Sequence, residues 1–226
     1  MNSTTDGTET VPHGVVDLRG AAGPAFTVRY PADAVVVVSG LPGAGKSTLL
    51  RRWSGQAVAT VDPRAVHEAC EAVMPASLPY AVYRPWARLE HARLLRTSVR
   101  RGGPLLVHDC GSRAWMRRRL AREAARQGRE LHLVLLDVGP ATALDGQRTR
   151  GRHAPPRTFA RHRHGLDALL AALTRHVRSG APTPVPEAAS VLLLDAASRS
   201  RPEAVRFGPG AAQPPAGGTA RPYGSG

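Results

Sequence analysis

The sequence predicts an α/β fold, a three-layer α/β/α sandwich on a mainly parallel five-stranded sheet. Two observations carry this. From Ala34 to Asp195, short runs of β-branched and aliphatic residues alternate with longer segments of helical character. The first run, four consecutive valines at 35–38, leads directly into a glycine-rich turn, "GLPGAGKST", and then into a helical stretch. Strand, tight turn and helix in that order open a crossover unit, and crossover units lay their strands side by side in parallel.

The elements follow in order. Residues 34–39 hold an apolar run, Val35 to Val38, suited to a strand buried on both faces, and strands are predicted likewise over 57–61, 104–109, 131–137 and 190–195, each largely aliphatic. Helices are predicted between them over 47–53, 63–73, 82–101, 113–127, 140–150 and 157–178. Pro63 and Pro140 open two of these, at the first helical position where proline is tolerated. Residues 25–30, "AFTVRY", alternate enough for an extra edge strand before Pro31 interrupts them. Residues 1–24 are polar and glycine-rich and predict a flexible arm. The domain is expected over 25–198, and 199–226, rich in Pro, Gly and Ala, predict a disordered tail.

Composition bounds the rest. A chain of 226 residues with 42% hydrophobic content suffices for one domain. The net charge of +14 is compatible with a polyanionic partner. Nucleic acid is not favoured, because aromatic residues make up only 4% and the arginines are spread along the chain. Cys70 and Cys110 have no metal-ligand spacing and fit a reducing cytoplasm. The N-terminus lacks a basic region followed by an apolar core, and no run approaches the ~20 apolar residues of a membrane span. The expected location is cytoplasmic. Oligomeric state leaves no trace in the sequence.

The turn after the first strand fills the pattern G-x-x-x-x-G-K-[ST] with Gly40, Leu41, Pro42, Gly43, Ala44, Gly45, Lys46 and Ser47, and Thr48 continues into the helix. Backbone N–H groups of such a loop turn inward around phosphate, and the helix N-terminus adds its dipole. Lys46 would reach the outer phosphates and Ser47 would hold Mg²⁺. Lys46 is also the one lysine in a chain whose other strong cations are all arginine. The pattern points to a nucleoside triphosphate, ATP with Mg²⁺, in a P-loop NTPase fold. A guanine-reading Asn/Thr-Lys-x-Asp motif cannot exist here, since Lys46 is already used and Asn2 is the lone asparagine.

From Val35 to Leu170 the chain resembles the small P-loop kinases grouped with polynucleotide kinase, zeta-toxin, chloramphenicol phosphotransferase and gluconate kinase, and also bacterial ATP-binding proteins of the AAA family. The resemblance is carried by "GLPGAGKST", "VDPR", "LLVHDCGSRAWMRRRL" and "LLDVGPATALDGQRTRGR". It implies γ-phosphoryl transfer from ATP to a hydroxyl on an unidentified acceptor. Asp62 takes the place of the acceptor-side base, although Asp before Pro63 also suits a helix N-cap. Asp109 ends its strand where an acid can hold Mg²⁺ opposite Ser47, or can simply start the next helix. Arg148, Arg150 and Arg152 fall where similar kinases carry a lid closing on the phosphoryl group, and Arg148 and Arg152 are the candidates for catalysis. A solvated basic helix end is the alternative.

Tyr83, Arg84, Arg88 and His91 are candidates for an acceptor pocket or for core and surface of a long helix. Arg117 and Arg119 are expected to coat a helix. His108 receives no role, and His162 and His164, two apart on a helix, point away from each other. Two other functions stay open at this point: a nucleotide-binding regulatory module with slow ATP hydrolysis, and a nucleic-acid end kinase.

Overall fold

The structure, a computed structural model, describes residues 9–54, 58–74, 80–108, 114–151 and 154–208. Its elements run β1 (Glu9–Thr10), β2 (Gly14–Asp17), β3 (Phe26–Tyr30), β4 (Val35–Gly40), α1 (Lys46–Trp53), β5 (Ala59–Val61), α2 (Pro63–Val73) and α3 (Tyr80–Arg100). There follow β6 (Leu105–His108), α4 (Ala114–Ala125), β7 (Leu131–Asp137), α5 (Pro140–Arg148), α6 (Pro156–Ser179), β8 (Ser190–Asp195) and β9 (Pro202–Phe207).

The main sheet has six strands in the order β2-β8-β7-β4-β6-β5, every neighbouring pair parallel. It is flanked by helices in the three-layer arrangement of P-loop NTPases. The four valines of β4 are buried, as are the aliphatic residues of β7 and β8, because a parallel strand covered on both faces has no solvent side. After β4 the chain crosses to one side for β5 and β6, then returns to the other for β7 and β8. The reversal at β4 opens a crevice at the C-terminal end of that strand. The phosphate-loop motif lies there.

Two expectations about the chain ends need correction. The arm expected over residues 1–24 contains β1 and β2, and β2 extends the five-stranded sheet to six by pairing Gly14–Asp17 with Ser190–Leu193. The tail expected from residue 199 contains β9, which pairs with β3. Residues 1–8 and 209–226 lie outside the described residues. The expected edge strand at 25–30 is instead the middle of a separate parallel sheet, β1-β3-β9. Phe26, Val28 and Tyr30 of β3 are buried, and the Tyr30 ring lies 4.8 Å from that of His132 on β7, tying the small sheet to the large one. Trp53 closes the other side by donating from Nε1 to the Pro202 carbonyl at 3.2 Å.

A further correction concerns α4. Arg117 does not coat the helix. Its Nε lies 3.1 Å from Glu187 Oε1, with side-chain exposures of 4% and 7%. Cys70 is buried in a small cluster with Val66, Tyr83 and Ala87, where burial raises its thiol pKa. Cys110 lies outside the described residues. Among the described residues no helix is long and apolar enough to cross a membrane.

Candidate functional site

The phosphate loop begins where β4 ends. Gly40, Gly43 and Gly45 have φ of 152°, 91° and 99°, all in the region L side chains rarely adopt. Gly43 is doubly constrained, because a Cβ there would stand 1.9 Å from the carbonyl oxygen of Ala143. Gly146 repeats the constraint from the other side, its Cβ position being 2.4 Å from the Gly43 oxygen. Helix α5 therefore lies backbone to backbone on the loop. Gln147 fastens this contact: its Nε2 donates to the Pro42 carbonyl at 3.1 Å and its Oε1 accepts from the Ala154 N–H at 2.6 Å. One buried amide joins the phosphate loop to the start of α6.

Lys46 is 3% exposed, and its ammonium donates to the carbonyls of Gly40 at 2.9 Å and Leu41 at 2.8 Å. The charge thus lies within the curve of the loop. Ser47, one residue on, points its Oγ toward His108 Nε2 at 3.5 Å. His108 Nδ1 in turn lies 3.3 Å from Asp62 Oδ1. Sheet register sets this row: β5 pairs Val61 with Val107, and β4 pairs Val38 with His108. The strand ends thus present Asp62, His108 and the loop side by side. Asp62, the sequence candidate for the acceptor side, is brought to the loop through a histidine that sequence reading left without a role.

Two arginines reach the loop from the other side. Arg150 donates from Nη2 to Thr48 Oγ1 at 2.9 Å, and Arg199 donates from Nη1 to the Ala44 carbonyl at 2.9 Å. With Gly45, Arg52 and Thr149 they line a cavity of about 490 Å³ beside the loop. Arg199 is held by a turn that Asp195 builds. The Asp195 carboxylate accepts from the N–H groups of Ser198, Gly20 and Ala197 and from Ser198 Oγ. These bonds, that from the Ser198 N–H foremost, draw its pKa down to about 2.

Arg148 is placed differently from the expectation. It is exposed and pairs with Asp145, three residues back, at 2.8 Å, whereas Arg150 reaches Thr48 at the start of α1. A helix-end arginine finds a carboxylate one turn away more readily than a site across the surface. Asp109 and Arg152 lie outside the described residues. For a metal, Ser47 Oγ opens α1 at the loop, which suits Mg²⁺, an ion that takes one or two protein oxygens plus phosphates and water. Among the described residues there is no group of three His, Cys, Asp or Glu side chains that could cage a metal.

With this geometry in hand, comparison with known proteins is decisive on one point. A family model described as an AAA domain matches residues 35–176, well over half of the chain. The chain belongs to this AAA domain family. It is an ATP-binding P-loop protein related to kinase-like folds, and the matched span covers β4, the phosphate loop, Asp62, His108, Arg148 and Arg150. No curated protein matches the sequence. Among solved structures, one from the PezAT chromosomal toxin–antitoxin system of Streptococcus pneumoniae is similar at 14% identity and TM-score 0.51, over 77% of this chain and 71% of that one. A candidate kinase from Chloroflexus aurantiacus is similar at 17% identity and TM-score 0.50, over 73% and 88%. At these identities the likeness is one of fold. The matched span ends before β8, so Arg199 reaches the loop from outside it.

Proposed function

We propose that this protein is an ATP-dependent phosphotransferase that passes the γ-phosphoryl group to a hydroxyl of a small acceptor. The observation that carries the reading is the carboxylate of Asp62, which lies 3.3 Å from the His108 imidazole, whose other ring nitrogen lies 3.5 Å from Ser47 Oγ on the phosphate loop. Asp62 also stands directly before α2, where it suits an N-cap, but a hydroxyl attacking phosphorus must be held in line and lose its proton, and a carboxylate at this strand end suits that task. The acceptor oxygen forms its bond to the γ-phosphorus while the bond to the bridging oxygen breaks. That oxygen leaves on ADP with the electron pair, and the hydroxyl proton passes to the Asp62 carboxylate.

Lys46 binds the outer phosphates, and Arg150 and Arg199 close on the nucleotide from the side of the 490 Å³ cavity. Ser47 and Asp109 would hold Mg²⁺, which supplies charge neutralisation on the phosphate oxygens. Gln147 fixes the phosphate loop against the start of α6.

The test is ADP release from ATP with and without pools of small hydroxyl compounds. Release that rises with a pool supports the transferase. Slow turnover that no pool alters supports a nucleotide-dependent regulatory module instead.

A further inference from the structure

Away from the phosphate loop, a groove of about 630 Å³ runs between α3 and α4. We infer that this groove is the acceptor site, built for a compound with a flat apolar body that carries a carboxylate or phosphate. The inference rests on the transferase reading above and names its substrate class.

Three observations point there. The first is the lining. Ala87, Leu95 and Leu120 form a buried apolar floor, while Trp115 stands at the groove 57% exposed. A large indole left in water beside an apolar floor offers a face for a planar partner.

The second is charge. Arg88, Arg96, Arg119, Arg122 and Arg126 line the groove against a single carboxylate, Glu123. Glu123 is already engaged, by Arg100 at 2.9 Å, Arg126 at 3.0 Å and Arg96 at 3.7 Å. Among the described residues no carboxylate pairs with Arg88 or Arg119. Two guanidinium groups lining the same groove as an exposed indole select an anion on an apolar body, since their planar forks match carboxylate and phosphate oxygens.

The third is position. Pro63 lines the groove, and its neighbour in the chain is Asp62. A compound bound in the groove therefore lies beside the residue that follows Asp62, the carboxylate that takes the hydroxyl proton in the transferase reading. The volume lies in the range of small-molecule sites, roughly 300–1,000 Å³, and suits a metabolite-sized acceptor.

The experiment is a fluorescence titration of the full chain with phenyl phosphate, benzoate and uncharged phenol, with and without saturating ADP. The two anions are expected to bind saturably at roughly millimolar concentration, as compounds of this size do, and about tenfold more tightly than phenol. Arg88→Gln and Arg119→Gln, both on exposed helix faces, are expected to weaken the anions about tenfold while leaving ADP affinity unchanged. The tighter of the two anions assigns phosphate or carboxylate. Equal binding of phenol and the anions, unaltered binding in both variants, no saturable binding of either anion, or displacement of the anions by ADP would each overturn the assignment. ADP affinity is measured on the same samples. Loss of ADP binding would overturn the nucleotide reading, while the probe titration decides the groove independently.

Discussion

His108 Nδ1 lies 3.3 Å from Asp62 Oδ1, and the opposite nitrogen of the same ring lies 3.5 Å from Ser47 Oγ. One imidazole thus spans from Asp62 to the phosphate loop. On the transferase reading proposed above, His108 is assigned to position Asp62 rather than to touch a reacting atom. His108→Ala is expected to lower kcat roughly tenfold with unchanged ATP affinity, and Asp62→Asn/His108→Ala to be no slower than Asp62→Asn alone. Additive losses in single-turnover rates would separate the two residues.

Arg199 gives the second prediction. Its contact with the Ala44 carbonyl places it against the loop, and the β9 strand behind it pairs with β3. Arg199→Ala is expected to weaken ATP binding about tenfold without altering the fold, the usual cost of a lost charge-assisted contact. Ending the chain at Ser198 removes β9 as well and uncovers β3 and Trp53, so Tm is expected to fall by about 10 °C or more. A chain ending at Gly208 keeps all the contacts described and is the control. Calorimetry on the three proteins checks both effects.

The buried pair Arg117–Glu187 predicts an asymmetry. Arg117→Ala leaves the Glu187 carboxylate buried beside a cavity and is expected to cost about 3–5 kcal/mol. Arg117→Met combined with Glu187→Leu removes both charges and is expected to cost much less. Urea unfolding of both variants measures the difference.

His132 predicts the pH dependence of stability. Its ring is buried against Tyr30 with Nδ1 2.9 Å from Ser190 Oγ, and burial draws its pKa down from the ordinary 6.5 to about 4. Above pH 6.5 the ring is neutral in both folded and unfolded chains and contributes nothing. Between 6.5 and 4 only the unfolded chain takes up the proton, so stability is lost as pH falls, by about 1.4 kcal/mol per unit and roughly 3 kcal/mol in all. Denaturant unfolding at pH 7, 6 and 5 is expected to show this slope in the wild type and a flatter one in His132→Leu.

The central strands were legible because they are buried on both faces. Runs such as "LHLVLLD" and "SVLLLD" contain almost nothing that prefers water, and β7 and β8 occupy the expected residues. The phosphate loop was legible because each fixed position has its own mechanical need, as Gly43 shows with α5 against it. The short strands β2 and β9 were not legible. "GVVD" and "PEAVRF" have no decisive alternation, and they are strands only because β8 and β3 offer edges. Arg117 looked like one of several surface arginines, because its partner Glu187 is 70 residues away. His108 became significant only through the register that sets β6 between β4 and β5. A signal for Arg199 did exist in the Asp195-x-x-Ser198 spacing, which closes the turn that holds it.

The most direct test of the account follows the γ-phosphoryl label of ATP into hydroxyl acceptors with wild type and Asp62→Asn side by side. Label is expected to enter an acceptor with the wild type, and to do so roughly 10²-fold more slowly with Asp62→Asn at equal ATP affinity. Equal rates of transfer in the two proteins, or label that appears only as free phosphate with every acceptor pool, would contradict it.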